Sequence, residues 1–184
     1  MRPIPTVLAF VLVVTLVTGS AVPTAADSPT PLAQQPAGDC SFPVTRTDAT
    51  GTEVTLTERP TRIATLSPSV AQTLWEIGAR DRVVGVSEFA RYLDGAESRT
   101  LVNTASGGIQ SERLVALEPD LVIAPGTISA ETVATLRDRG LTVFAMETPA
   151  TIEGVADATT LLGRLTGECA GAAETNAWMR ANVA

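Results

Sequence analysis

The sequence predicts an α/β fold, a Rossmann-like parallel sheet with helices on both faces, preceded by a small β-hairpin. Three observations predict it. Four short apolar runs, RIATL at 62–66, VVGV at 83–86, DLVIA at 120–124 and LTVFA at 141–145, have the length and aliphatic character of buried strands. Between them, apolar residues recur at helical spacing, as in Val70, Leu74 and Ile77. Gly or Pro punctuates the junctions, and strands alternating with helices of this length specify right-handed βαβ crossovers.

Residues 7–17, VLAFVLVVTLV, form an apolar run behind Arg2, and Thr24, Ala25 and Ala26 supply small residues before Asp27. This layout predicts a signal peptide over residues 1–26, its apolar core too short to span a bilayer. An uncleaved N-terminal anchor is the competing reading. Asp39 precedes Cys40 where a lipid-attachment box needs a small residue. Residues 27–39 carry too little apolar surface to offset their ordering entropy and read as a flexible linker. The expected location is therefore extracytoplasmic, periplasmic or on the cell surface, with a folded unit over residues 40–166.

Phe42 to Asp48 and Glu53 to Thr57 alternate apolar and polar residues around a turn at Asp48–Gly51, which predicts the hairpin. RIATL is the first strand of the main sheet. Ser67-Pro68-Ser69 then bends the chain, Ser67 or Ser69 caps a helix, and Gly78 stops it. VVGV is the second strand. Residues 87–108 show little periodicity and read mostly as loop, long for a compact domain and therefore a candidate for function. Ser111 caps a short helix ended by Pro119, and DLVIA is the third strand. Ser129 caps the next helix, which Gly140 ends, and LTVFA is the fourth strand. Thr151 opens another helix. Residues 167–184 begin a last one.

Thirteen basic residues against 20 acidic ones give a net charge of −7, and every basic residue is Arg. Nucleic acid and anionic lipid both require a basic patch, so neither is an expected partner. Histidine is absent, which removes Ser-His-acid and Cys-His nucleophilic sites and leaves Ser67 without an imidazole base. No GxGxxG or GxxxxGK[ST] motif occurs. Neither a metal site nor an enzyme is expected. Cys40 and Cys169, the two cysteines, form a disulfide if the chain is exported, or stay as two thiols in a reducing compartment.

Ligands of open parallel sheets sit beyond the carboxyl ends of the strands. Those ends are Ser67-Pro68-Ser69, Glu88 to Tyr92, and Pro125-Gly126-Thr127, which should form one rim. Phe89 and Tyr92 either offer flat surfaces to a ligand there or pack beneath their own loop.

The segments RIATLSPSVAQTLWEIGARDRVVGVS and QSERLVALEPDLVIAPG, with the Asp48–Gly51 turn and the Gly107-Gly108 loop, resemble the N-terminal lobe of the periplasmic solute-binding proteins that feed cobalamin, haem and ferric siderophores to ABC importers. The resemblance implies two lobes joined by one helix, with residues 167–184 starting that connector and the second lobe absent. It implies that Ser67, Phe89, Ser106, Gly107, Gly108 and Pro125 face the ligand, to which the rim adds Pro68 and Tyr92 as candidate ligand contacts. It also implies that Glu112 docks on an arginine of the permease, although a first-turn Glu complements a helix dipole in any case. Such a protein is a monomer that needs no cofactor, its cargo being the metal chelate. Gln72 stands where many members have Glu. An exported α/β domain without a transport role, or a non-functional fragment, is the alternative.

Overall fold

The structure is a computed structural model and describes residues 40–183. The expected signal peptide and linker, residues 1–39, lie outside the described residues. Two sheets are present: an antiparallel hairpin of β1 (Val44–Thr47) and β2 (Glu53–Leu56), and a parallel sheet of five strands. The latter contains β3 (Ile63–Thr65), β4 (Val83–Val86), β5 (Thr100–Leu101), β6 (Leu121–Pro125) and β7 (Val143–Met146), in the order β5-β4-β3-β6-β7.

Alternation along the strands divides the core. Ile63, Leu121, Ile123, Phe144 and Met146 face one side, where they meet the hairpin, α1 (Pro68–Glu76), α4 (Ile152–Thr166) and α5 (Cys169–Asn182). Ala64, Val122, Ala124, Val143 and Ala145 face the other, against α2 (Ser111–Ala116) and α3 (Ala130–Asp138). A parallel sheet covered on both faces demands apolar side chains in both directions, which explains the unbroken apolar strands.

This sheet also creates a crevice. β3 leads into α1 on one face, and its neighbour β6 leads into α3 on the other, so the two connections part at the carboxyl edge. Such a switch point is where open α/β sheets bind ligands.

Two sequence expectations are corrected. The stretch 87–108 is not merely loop: it holds two 3₁₀ turns, Glu88–Ala90 and Ala96–Ser98, and β5, which pairs with β4 as the sheet's edge. A strand of two residues has no period to read. Ser111 is the first helical residue of α2, and Gln110 holds the cap position without a side-chain bond.

α5 turns back along α4. Gly167 takes φ +72 to end α4, and Glu168 then accepts from both Arg59 and Arg82, fixing the junction. Asn176, buried between the two helices, donates to Ala156 O at 3.0 Å and Thr160 Oγ1 at 2.9 Å. Gly171 lies so near the end of α1 that an added Cβ would stand 2.1 Å from Ile77 O. Gly171→Ala is therefore expected to lower the unfolding free energy by about 1–3 kcal/mol, as overpacking against rigid backbone does. An unchanged denaturation midpoint would contradict that close approach.

Candidate functional site

An open cavity of 480 Å³ occupies the crevice at the carboxyl edge. Its wall comes from the β3–α1 and β6–α3 turns, the loops after β4 and β5, the β7–α4 loop, and one side of α4. The β3–α1 turn is held rigidly. Ser67 caps α1, its Oγ accepting from Val70 N at 3.5 Å, with Pro68 in the first turn, where a proline costs no hydrogen bond. Ser67 and Ser69 hydroxyls lie 2.9 Å apart, and Thr65 Oγ1 accepts from Ser67 N at 3.2 Å. Ser67 is thus largely engaged by its own turn.

After β4, Ser87 caps the Glu88–Ala90 turn through Phe89 N at 3.3 Å, which places the Phe89 ring, 53% exposed, on the lip. Asn103 follows β5 and is buried at 6% exposure, with Oδ1 accepting from Glu88 N at 3.2 Å. Pro125 and Gly126 complete the turn after β6, where a Cβ on Gly126 would come within 2.6 Å of Met146 O.

Of the residues expected to face the ligand, Ser67, Pro68, Phe89, Gly107 and Pro125 stand in this wall. Tyr92, Ser106 and Gly108 do not. Tyr92 is 63% exposed and its hydroxyl donates to Gln72 Oε1 at 3.0 Å, bracing the outer side of α1. Ser106 Oγ lies 2.9 Å from Thr104 Oγ1, and Gly108 donates its N–H to the same oxygen, so both close their own turn and leave Gly107 facing the cavity.

Sequence reasoning missed Asn103 and the far wall, which is formed by Met146, Thr148, Pro149, Val155, Ala158 and Leu162. Their signal was present, because the carboxyl-edge rule that selected the first three strand ends selects residues 147–149 after β7 equally. The α4 residues read simply as core-facing helix.

Glu112 lies outside the wall with its side chain 86% exposed, and Arg139 donates to it at 3.0 Å. That hydrogen bond, with help from Glu112's own backbone N–H and the Arg139 charge, holds its carboxyl below the ordinary value of 4.5. Cys40 and Cys169 are joined by a disulfide, with Cα atoms 6.0 Å apart. Among the described residues no group of three or more His, Cys, Asp or Glu side chains is placed to hold a metal ion, and no helix is long and apolar enough to cross a membrane.

Comparison with known proteins follows the same architecture. A protein of Halobacterium salinarum described as a cobalamin-binding protein is 48% identical over 182 residues, covering 96% of this chain and 48% of its own. A vitamin B12-binding protein of Vibrio campbellii is 34% identical over 96 residues, 52% of this chain and 34% of its own. Among solved structures, the haem-binding protein HmuT superposes with a TM-score of 0.64 at 22% identity, covering 92% of this chain and 51% of that one. The vitamin B12-binding protein BtuF of Vibrio cholerae gives 0.60 at 25% identity, covering 67% and 48%. This chain spans about half the length of the curated relatives it matches most extensively. Residues 63–183 match the family described as periplasmic binding protein, and the chain belongs to that family.

Proposed function

We propose that this chain is the ligand-capturing lobe of an ABC importer's solute-binding protein. It is exported and takes up a metal chelate, with cobalamin ahead of haem or a ferric siderophore, and no bond is made or broken. The observation that carries this reading is the open cavity at the switch point, with its aromatic lip and largely apolar wall. Its volume is within the roughly 300–1,000 Å³ of ligand pockets, and its open side suits a ligand covered on one face. The 48% identity to a cobalamin-binding protein over nearly the whole chain supports the choice of ligand.

Glu112 is the docking residue in this reading. Its exposed carboxylate exchanges Arg139 for an arginine of the permease, and such a pair is worth under about 1 kcal/mol in water, so it sets register more than affinity. The protein works as a monomer in contact with the permease subunits.

Titration of the purified chain with cyanocobalamin, haemin and a ferric hydroxamate, followed by quenching of tryptophan fluorescence, tests the proposal. Saturable one-to-one binding of cyanocobalamin is expected, and Glu112→Ala should bind it equally well while losing association with the cognate permease. No binding of any chelate, with turnover in a screen of small esters and phosphates, would favour an exported domain of another kind.

A further inference from the structure

We propose that Asn103 is a positioning residue: through one hydrogen bond it holds the exposed Gly107 turn against the lip that carries Phe89, and so sets the shape of the cavity mouth. For its effect on a ligand the inference rests on the reading above. It gives Asn103 a role through a bond within the protein rather than through ligand contact.

The two segments of the mouth are unequally anchored. Ser87, before Phe89, and Ala90, after it, are both fully buried, and Ser87 Oγ accepts from Phe89 N at 3.3 Å. Further along, two bonds fasten the same connection to α1. The Tyr92 hydroxyl donates to Gln72 Oε1 at 3.0 Å, and Trp75 Nε1 donates to Asp94 O at 2.8 Å. The Phe89 lip is therefore a fixed element.

The Gly107 turn has no anchor of its own. Residues 104–108 are all exposed, and a Cβ added at Gly107 would meet nothing within 4 Å. Their hydrogen bonds among the described residues stay inside the turn. Thr104 N donates to Gly108 O and Gly107 N to Thr104 O, both at 2.8 Å, while the Thr104 hydroxyl engages Ser106 Oγ and Gly108 N. The arm joins the body at its base, where Asn103 and Ile109 form an isolated antiparallel bridge. A turn closed on itself above such a base is free to swing.

Asn103 supplies the tie that stops it. The residue is 6% exposed, and its Oδ1 accepts from Glu88 N at 3.2 Å, 15 positions earlier in the chain. Glu88 opens the 3₁₀ turn, so its N–H is one of the donors that a helical start leaves without an internal partner. Ser87 serves the next N–H, and Asn103 serves this one. The bond thus satisfies the fixed lip and couples the exposed arm to it. Without it, a ligand must order residues 104–108 as it binds, and the backbone freedom lost subtracts from affinity.

Backbone relaxation and titration of the full chain test this together. In the unliganded parent, residues 104–108 should be nearly as ordered as β6, with order parameters of about 0.8, and Asn103→Ala should lower them toward about 0.6 while β6 stays unchanged. Asn103→Asp keeps an oxygen for Glu88 N–H but deletes the side-chain N–H donors, and it should restore the order. Affinity for cyanocobalamin should rank the same way: at least about fivefold weaker in Asn103→Ala, recovering to within about twofold of the parent in Asn103→Asp. Equal loss in both variants would assign Asn103 to ligand contact and overturn the inference. So would mobile residues 104–108 in the parent, a measurement that stands even if Asn103→Ala does not fold. A parent chain that binds none of cyanocobalamin, haemin and a ferric hydroxamate would overturn the chelate reading instead, with the order parameters still deciding the tie.

Discussion

Replacing Cys40 and Cys169 by Ser, or reducing their bond, should lower the free energy of unfolding by roughly 5 kcal/mol on the chain-entropy account of long loops. The bond links positions 129 residues apart, so it restricts most of the unfolded chain at once. For a domain of this size each kcal/mol moves the melting temperature by about 2–4 °C, so a fall of about 10–20 °C is expected. The structure adds a local reason. Cys40 precedes the hairpin and Cys169 opens α5, and both elements cover the same face of the sheet. Without the bond, the Arg59 and Arg82 pairs to Glu168 and the buried side of α5 alone hold that junction. Calorimetry with and without a reductant measures the effect, and a shift below about 2 °C would refute it.

Asp48→Ala should destabilise the protein by roughly 3–5 kcal/mol, the range for breaking a buried ion pair. The Asp48 side chain is 0% exposed, and it pairs with Arg137 of α3. It also accepts from Thr50 N at 2.8 Å, Thr50 Oγ1 at 2.6 Å and Thr52 N at 3.2 Å within its own turn, and from Ala145 N of β7 at 2.9 Å. One carboxylate thus shapes the hairpin turn and ties it to the sheet edge. Burial opposes its charge, but hydrogen bonds from Thr50, Ala145 and Thr52 prevail and hold its pKa below 3.8.

The direction of the pH effect follows. A folded-state pKa below the unfolded one contributes stability that is complete above the unfolded value and is lost as pH falls through the folded value. Asp120 adds to the same window, since burial is again outweighed by bonds from Thr61 and Arg62 and its pKa is lowered. Urea unfolding should therefore show stability falling below about pH 4, and Asp48→Asn should flatten that fall. A wild-type stability independent of pH in this acid range would contradict the assignment.

Most of the fold was legible because its strands and helices obey their periods. The caps Ser67, Ser129 and Thr151 all accept bonds from helix N–H groups as their positions suggest. Thr100 and Leu101 were not legible as strand, since their place is set by the neighbouring β4 rather than by their own pattern. The site divides in the same way. Ser67, Pro68 and Pro125 follow directly from the carboxyl-edge rule. Tyr92 could not be placed from sequence, because its hydrogen bond to Gln72 depends on how a long connection crosses α1. Asn103 was hidden inside that connection: a lone Asn in a loop signals a turn as readily as a contact, and only its burial and its bond from Glu88 N set it apart.

The central claim is that the carboxyl edge of the sheet is a binding surface. Amide chemical-shift mapping of the isotope-labelled chain during titration with cyanocobalamin tests it most directly. Perturbations should gather at Ser67 to Val70, Phe89, Asn103, Gly107, Gly126, Thr127 and Thr148, leaving α3 and the opposite end of the sheet near Asp120 unmoved. A map centred on α3 or on the Asp120 end, or no perturbation at saturating ligand, would contradict the account.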